Sequence, residues 1–490
     1  MNNSTLIAAA LLIPLIGAVL IALAARRPNV RETITIVTSL LLLIDVVVLL
    51  FRVLGGERPV LELWQMLPGF VLSFSIEPLG MLFAVVAAVL WPVNSLYSIG
   101  YMRGNNEKNQ TRFYICFAIA LMSVMGMAFA ANLLTLFVFY ETLTLCTYPL
   151  VTHKGDSKAV EGGRVYIGIL MVTSIGLLLP AILWTWSLTG TMDFVSGGIL
   201  KDSLNGPLTG LLLLMYIFGI GKAAVMPVQR WLPAAMVAPT PVSALLHAVA
   251  VVKAGVFCVV KIVVYVFGLD LLRAQPSTHW LIFAAAFTII VASVIALRED
   301  NLKRRLAYST VSQLSYVVLA AAILAPLSIV GACLHIVAHA FGKITLFFAA
   351  GSIYTASHKT EVSELAGIGR QMPWTMAAFT IGALSMIGVP PAAGFISKWY
   401  ILVSAFETEQ IVAVGVIIIS TLLNAAYFIP VVYAAFFRTP ATAQTPSHGE
   451  APFPIVLALT ITASLVVLLF LFPGVTLSLV NLLETSVMDK

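Results

Sequence analysis

Charge is what this chain has least of. Asp, Glu, Lys and Arg make up 10% of the sequence, against about 25% in a soluble domain. Long polar stretches are missing too. The connections near 54–76, 188–207 and 437–451 are the longest, and none is long enough to form an independent domain. There are four cysteines, Cys116, Cys146, Cys258 and Cys333. All lie in apolar runs and none forms a CxxC pair, which excludes a disulfide framework, an iron–sulfur cluster and a zinc site. They read as small buried hydrophobes. The "GIGK" around Lys222 lacks the spacing of a phosphate-binding loop and follows no strand. No flavin or dinucleotide motif occurs. No catalytic residue, cofactor or metal site is therefore expected on this chain.

What is present is apolar sequence. The chain is 60% hydrophobic with a mean hydropathy of +1.02. Runs of about 20 apolar residues recur from end to end, which predicts an all-α polytopic membrane protein forming one membrane domain over 1–490. Alternating ten-residue segments, the mark of a membrane β-barrel, are absent. Fourteen spans are read, the first near 6–25 and the last near 452–478. The first has no basic residue before it and no small-residue cleavage site, so it reads as a retained helix.

The pI of 9.1 is explained by topology rather than by nucleic acid. Alternate loops hold 17 of the 27 Lys and Arg residues, the opposite loops and the C-terminus hold 5, and 5 lysines lie inside spans. Positive residues favour the cytoplasmic side. The expected location is the cell inner (plasma) membrane, multi-pass, with both termini on the non-cytoplasmic side.

Against this apolar background, nine ionisable or imidazole residues stand inside the spans: Glu141, Lys222, His247, Lys253, Lys261, His335, His339, Lys343 and Lys398. One charge at the bilayer centre costs about 2.5–3.5 kcal/mol, so six facing lipid would cost about 15–20 kcal/mol. Such groups must face one another or an internal hydrated path, and the default reading is a proton or cation pathway. Glu141, in "LLTLFVFYETLTLCTY", is expected to pair with Lys222 and to switch that lysine between holding and releasing a proton. Asp45 is a weaker candidate, in an otherwise featureless helix. His335, His339 and Lys343 recur every four residues and form one helical stripe about 12 Å long. The pair "HIVAH" lacks the HExxH glutamate and a third ligand, so a hydrated relay is expected rather than a metal site. Lys261 lies near a helix end and is expected to snorkel. Glu407 and Glu409, in the loop after Lys398, suggest an exit.

Two lysines sit beside proline-interrupted segments. Lys222 precedes Pro227, Pro233, Pro239 and Pro241, and Lys398 follows Pro390 and Pro391. Broken helices at membrane depth are tolerable only where protein or cavity water satisfies the freed backbone, and they mark ion paths. Each stands in the fourth helix of a five-helix unit, 113–267 and 280–436. Five is odd, so the second unit enters from the opposite side and the repeat is inverted.

These segments carry a family resemblance. "FYETLTLCTYPL", "GKAAVMPVQRWLPAAMVAPTPVSALLHA", "DNLKRRLAYSTVSQLSY", "HIVAHAFGKITLFFAAGSI" and "GFISKWYIL" resemble the antiporter-like, proton-translocating membrane subunits of respiratory complex I, Mrp-type cation/proton antiporters and membrane-bound hydrogenases. The resemblance spans roughly 75–435. It implies fourteen helices, two inverted five-helix units and a central polar axis. By resemblance, Glu141 and Lys222 form the coupling pair, Lys253, His335, His339 and Lys343 the central relay, and Lys398 the terminal lysine. The family commonly flanks its Trp-Leu-Pro with histidine and aspartate. Here Gln229 and Ala234 stand there, so a proton-uptake role for that rim is not carried over. Lys398, where the middle-sized complex I subunit has glutamate, points to the Mrp D-type subunit. The sequence after the last span is short where the largest complex I subunit has a long lateral helix, which disfavours that assignment. Expected partners are other membrane subunits of such an assembly, the bilayer and H⁺, with Na⁺, K⁺ or no second cation left open by the sequence. The alternative is a non-redox proton-pumping subunit of an NADH-quinone oxidoreductase or hydrogenase complex.

Overall fold

The computed structural model describes residues 2–67, 70–439 and 449–488. Lys490, counted in the charge map, lies outside them. The helices are α1 Asn3–Leu23, α2 Pro28–Leu54, α3 Pro78–Gly104, α4 Gln110–Ala128, α5 Leu133–Val151 and α6 Ser157–Thr189. They continue with α7 Pro207–Gly219, α8 Thr240–Phe267, α9 Trp280–Arg298, α10 Leu302–Ile323 and α11 Pro326–Ser357. The last are α12 Pro373–Ile387, α13 Gly394–Glu407, α14 Ile411–Phe437, α15 Phe453–Leu471 and α16 Gly474–Met488. Among the described residues, twelve helices are long and apolar enough to cross a membrane, joined by three shorter apolar ones. The chain is a polytopic helical membrane protein, as its composition requires.

Helix starts follow local chemistry. The Asn132 side chain accepts from the Thr135 N–H and caps α5, and Asp156 caps α6 through Ala159. Proline occupies the first turn of α2, α3, α7, α11, α12 and α15, where its missing N–H removes no helical bond.

Three features differ from a simple run of spans. The connection after α2 folds into an antiparallel hairpin, β1 Val60–Leu67 with β2 Phe70–Ser75, Leu61 facing Phe74. It is pinned to the start of α5 by Asn132 Nδ2, which donates to Val71 O and Ser73 Oγ. The last apolar run is divided into α15 and α16 at Pro473-Gly474, a pair that ends a helix. Both proline-rich segments are broken helices. α7 stops at Gly219 and gives way to short turns over Gly221–Ala223, Val228–Arg230 and Trp231–Ala234. α12 stops at Gly388, whose φ of +90° only glycine adopts readily, and α13 resumes at Gly394.

Burial sorts the helices. The apolar windows of α8 and α11 are 100% buried inside the protein and that of α10 94%, whereas α14 and α15 are 33% buried. The helices that carry most of the intramembrane lysines and histidines are therefore the innermost ones. Lipid-facing charge is avoided by placement.

Candidate functional site

Lys222 lies in the first break, fully buried. Its Nζ donates to Tyr140 O at 2.9 Å and Thr144 Oγ1 at 2.6 Å and stands 3.1 Å from the centre of the Tyr140 ring. The break has its own supports. Trp231 Nε1 donates to the Gly221 carbonyl at 2.9 Å, and α8 approaches through Gly255, where a Cβ would fall 2.3 Å from the Lys222 carbonyl carbon.

The expected Glu141–Lys222 contact is not made. No ion pair joins them among the described residues, and both Glu141 carboxylate oxygens are buried without a hydrogen-bond partner. Tyr140 O and Thr144 Oγ1 capture the ammonium instead. Glu141 is half-exposed, beside the exposed Val138 and Leu145, with its carboxylate oxygens turned in from the surface.

The second break holds its lysine differently. Lys398 Nζ donates to Met386 O at 2.8 Å and Ile387 O at 3.0 Å, the free carbonyls ending α12. A helix C-terminus carries partial negative charge, so an ammonium is at home there. Gly388 makes room, since a Cβ on it would lie 2.6 Å from Lys398 Cδ. A cavity of about 320 Å³, lined by Phe395, Trp399, Ile417 and Thr421, opens beside Lys398. Glu407 and Glu409 are exposed at the far end of α13.

Between the two breaks, α11 presents its stripe, and each member meets a different helix. Lys343 Nζ donates to Leu306 O at 3.2 Å and Ser309 Oγ at 2.7 Å on α10. His339 Nδ1 meets Lys253 Nζ of α8. His335 Nδ1 bonds Ser397 Oγ of α13 at 2.9 Å. The two imidazoles stack with centroids 6.1 Å apart, and Tyr316 of α10 lies 5.5 Å from His335. The Tyr316 ring in turn stands 4.7 Å from Lys398 Nζ. Lys253, His339, His335, Ser397 and Lys398 are thus brought together in neighbouring contacts. His335 Nε2, His339 Nε2 and both nitrogens of His247 are buried without protein partners. His247 sits in a π-type turn, Leu245–Val249, its ring centre 4.7 Å from that of Phe347 and tilted 45° to it. No direct side-chain contact joins Lys222 to Lys253 among the described residues. The two imidazoles of α11 point to Ser397 and Lys253 rather than to a shared point, and no third His, Cys, Asp or Glu completes a metal set among the described residues.

Lys261 does not snorkel. It is fully buried, 3.3 Å from Glu77 Oε2, and donates to Ala130 O at 2.9 Å. Its helix end is covered by the Ala130 loop and by Phe194, whose ring centre is 4.3 Å away. Asp45 is 7% exposed with one carboxylate oxygen unpartnered. The groups missed from sequence are the hydroxyls that receive lysines, Thr144 and Ser309, the Ser397 hydroxyl that bonds His335, and Tyr140, Tyr316 and Gln313. Both amide atoms of Gln313 are buried without partners.

Residues 130–424 match a family described as NADH:quinone oxidoreductase/Mrp antiporter, TM. The chain belongs to this family. NADH-quinone oxidoreductase subunit N of Desulforudis audaxviator is 32% identical over 79% of the chain and 77% of that protein. Hydrogenase-4 component B of Escherichia coli is 29% identical over 82% of the chain and 62% of its own length. NAD(P)H-quinone oxidoreductase chain 5 of Picosynechococcus is 32% identical over 69% of the chain, which spans about half (52%) of that relative. In fold, the chain is similar to one in the Mrp complex from Dietzia sp., with TM-score 0.86 and 20% identity over 99% of this chain and 98% of that one. A chain of the archaeal membrane-bound sulfane sulfur reductase gives 0.83 at 23% identity, over 98% and 97%.

Proposed function

We propose that this family member is a proton-translocating subunit of a multisubunit cation/proton antiporter of the Mrp D type. The observation that carries the reading is the buried succession Lys253, His339, His335, Ser397 and Lys398, with Nε2 of each imidazole unpartnered. A neutral imidazole both donates and accepts a hydrogen bond, so it can hand a proton on from one ring nitrogen to the other. Unpartnered ring nitrogens beside buried lysines are the groups that a bridging water would satisfy. Lys222 loads a proton, the α8 and α11 groups pass it on, and Lys398 delivers it toward Glu407. Glu141 acts on Lys222 through space from the outer ridge of α5. The two broken-helix units, 113–267 and 280–436, act as inverted half-channels. The basic loops face the cytoplasm, both termini face outward, and the membrane is the plasma membrane. Moving one charge against 100 mV requires about 2.3 kcal/mol, the scale of a change in buried pairing.

A second reading is a non-redox pumping subunit of a quinone oxidoreductase or hydrogenase assembly. It is favoured by the 32% identity to a protein named NADH-quinone oxidoreductase subunit N. The same relay would then be driven by electron transfer in partner subunits. Proton uptake by inverted vesicles, with and without a Na⁺ or K⁺ gradient, decides between them. Lys222→Ala and Glu141→Gln chains should lose coupled transport. Undiminished transport in both would overturn the relay.

A further inference from the structure

A second set of unpartnered polar atoms lies off this line. Asn94 of α3 is fully buried, and neither its Oδ1 nor its Nδ2 has a hydrogen-bond partner. Ser243 Oγ and both nitrogens of His247 are in the same state on α8. A buried amide left without partners costs about 1–3 kcal/mol. Five such atoms on two packed helices need an occupant.

Two contacts set how α3 and α8 lie together. Thr240 Oγ1 is 3.4 Å from Tyr101 Oη. The rings of Phe83 and Phe257 stack at 4.9 Å. Moving from the first contact to the second runs backward along α3 and forward along α8, so the helices are antiparallel. Seven residues from the Tyr101–Thr240 contact, about 10 Å along each axis, stand Asn94 on one helix and His247 on the other. Seven residues is also nearly two full turns of regular α-helix, so Asn94 lies within about 20° of the face that makes the contact, while His247 is set by the π-type turn Leu245–Val249. Ser243 occupies the level between. α3 packs against both the Thr240–Ala244 turn and the π-type turn that carries His247.

The Tyr101–Thr240 contact is itself part of the wall of a cavity of about 300 Å³ on the basic face. Lys154, Lys303, Lys359 and Tyr354 also line it. Below that cavity the unpartnered atoms descend from Ser243 to Asn94 and His247. His247 packs against Phe347, one turn from Lys343.

We infer that Asn94 is a positioning residue for a buried water node shared with Ser243 and His247, and that this node joins the lysine-lined cavity to the central relay. A water held there finds the two to four polar partners that a buried site requires. A carboxamide suits the role because it offers a donor and an acceptor and holds no proton of its own. His247 is then the point where a proton from the basic face reaches the line of α11. The inference rests on the proposed transport function, but it makes a claim about hydration that stands apart from transport.

The test uses the full chain in its native assembly in inverted vesicles. Asn94→Leu should lower proton transport about fivefold or more, the factor for one lost hydrogen bond, and Asn94→Gln should restore most of it. In a chain whose four cysteines are replaced by serine, Ser243→Cys should react with a small membrane-impermeant thiosulfonate applied to the basic face. Adding Asn94→Leu should slow that reaction. A Ser243→Cys thiol unreactive from the basic face, or Asn94→Leu transporting as the unsubstituted chain does, overturns the node. Labelling as expected with no transport in the unsubstituted chain would overturn the functional reading and leave the hydrated node standing.

Discussion

His335 Nδ1 and Ser397 Oγ are 2.9 Å apart, and this one hydrogen bond ties the histidine stripe of α11 to the helix carrying Lys398. Ser397 Oγ also reaches Gly394 O at 3.1 Å, so the hydroxyl has one proton to share between the imidazole and its own helix. Ser397→Ala removes the link while changing little volume. The expected result is a stability loss of about 1 kcal/mol and a larger fractional loss of proton transport. Ser397→Thr should retain both. Thermal unfolding of the detergent-solubilised assembly and vesicle proton uptake read the two effects separately. Equal transport in Ser397→Ala would remove Ser397 from the relay.

Lys398 stabilises the second break as well as standing in the line, and two substitutions separate these roles. Lys398→Met leaves the Met386 and Ile387 carbonyls without a donor, at about 1–3 kcal/mol for such a buried group. Lys398→Gln keeps N–H donors but cannot carry a proton. The Gln chain should melt closer to the unsubstituted one than the Met chain does, while neither transports. Transport by the Gln chain would show that Lys398 is structural only.

The positions of these lysines were legible in the sequence because a charge in a 20-residue apolar run has few places to go. The broken helices were legible because Pro227, Pro233, Pro390 and Pro391 cannot continue a helix. Their receptors were not. Thr144 and Ser309 look like any helical hydroxyl, which ordinarily bonds back to its own helix, as Thr147 does to Leu143 O at 2.6 Å. What distinguishes Thr144 is an ammonium that arrives from 78 positions along the chain. Lys261 was misread for the same reason. Its place near a helix end was visible, but its ion-pair partner Glu77 and the loop covering it lie far away in sequence. Glu141 makes no direct bond to Lys222, because the Tyr140 carbonyl and the Thr144 hydroxyl on the same helix take the ammonium, and sequence does not show which acceptors a buried lysine meets.

The close approach of α8 to the first break yields a packing prediction. A Cβ at Gly255 would lie 2.3 Å from both the Ala223 nitrogen and the Lys222 carbonyl carbon. Both are backbone atoms, so no side chain can swing aside. Gly255→Ala should destabilise the protein by about 1–3 kcal/mol and displace Lys222 from Thr144, reducing transport as well. Gly415→Ala, at a helical site with open space around it, is the control and should leave melting and transport unchanged. A Gly255→Ala chain that melts with the control would mean the break yields more easily than its contacts indicate.

Outside the spans, His153 gives the basic face a pH dependence of definite sign. It follows α5 and is 3% exposed, and neither ring nitrogen has a hydrogen-bond partner. Burial first, then the positive charge of Arg112, push its imidazole down from 6.5 to about 4. The folded state thus resists a proton that the unfolded chain accepts. The neutral ring's contribution to stability is fully present above about pH 6.5 and is lost progressively as pH falls toward 4, below which both states are protonated and the loss is complete. Glu107, whose Oε2 lies 3.9 Å from His153 Nε2, acts in the opposite sense. Burial raises its carboxyl above 4.5, so it favours the folded state at low pH and that benefit fades as pH rises through its shifted value. His153→Phe removes the first effect and keeps the second. The substituted chain should therefore lose less stability than the unsubstituted chain between pH 6.5 and 4, measured as the melting temperature of the solubilised assembly across that window. Parallel pH profiles for the two chains would show that His153 does not set the acid sensitivity of this face.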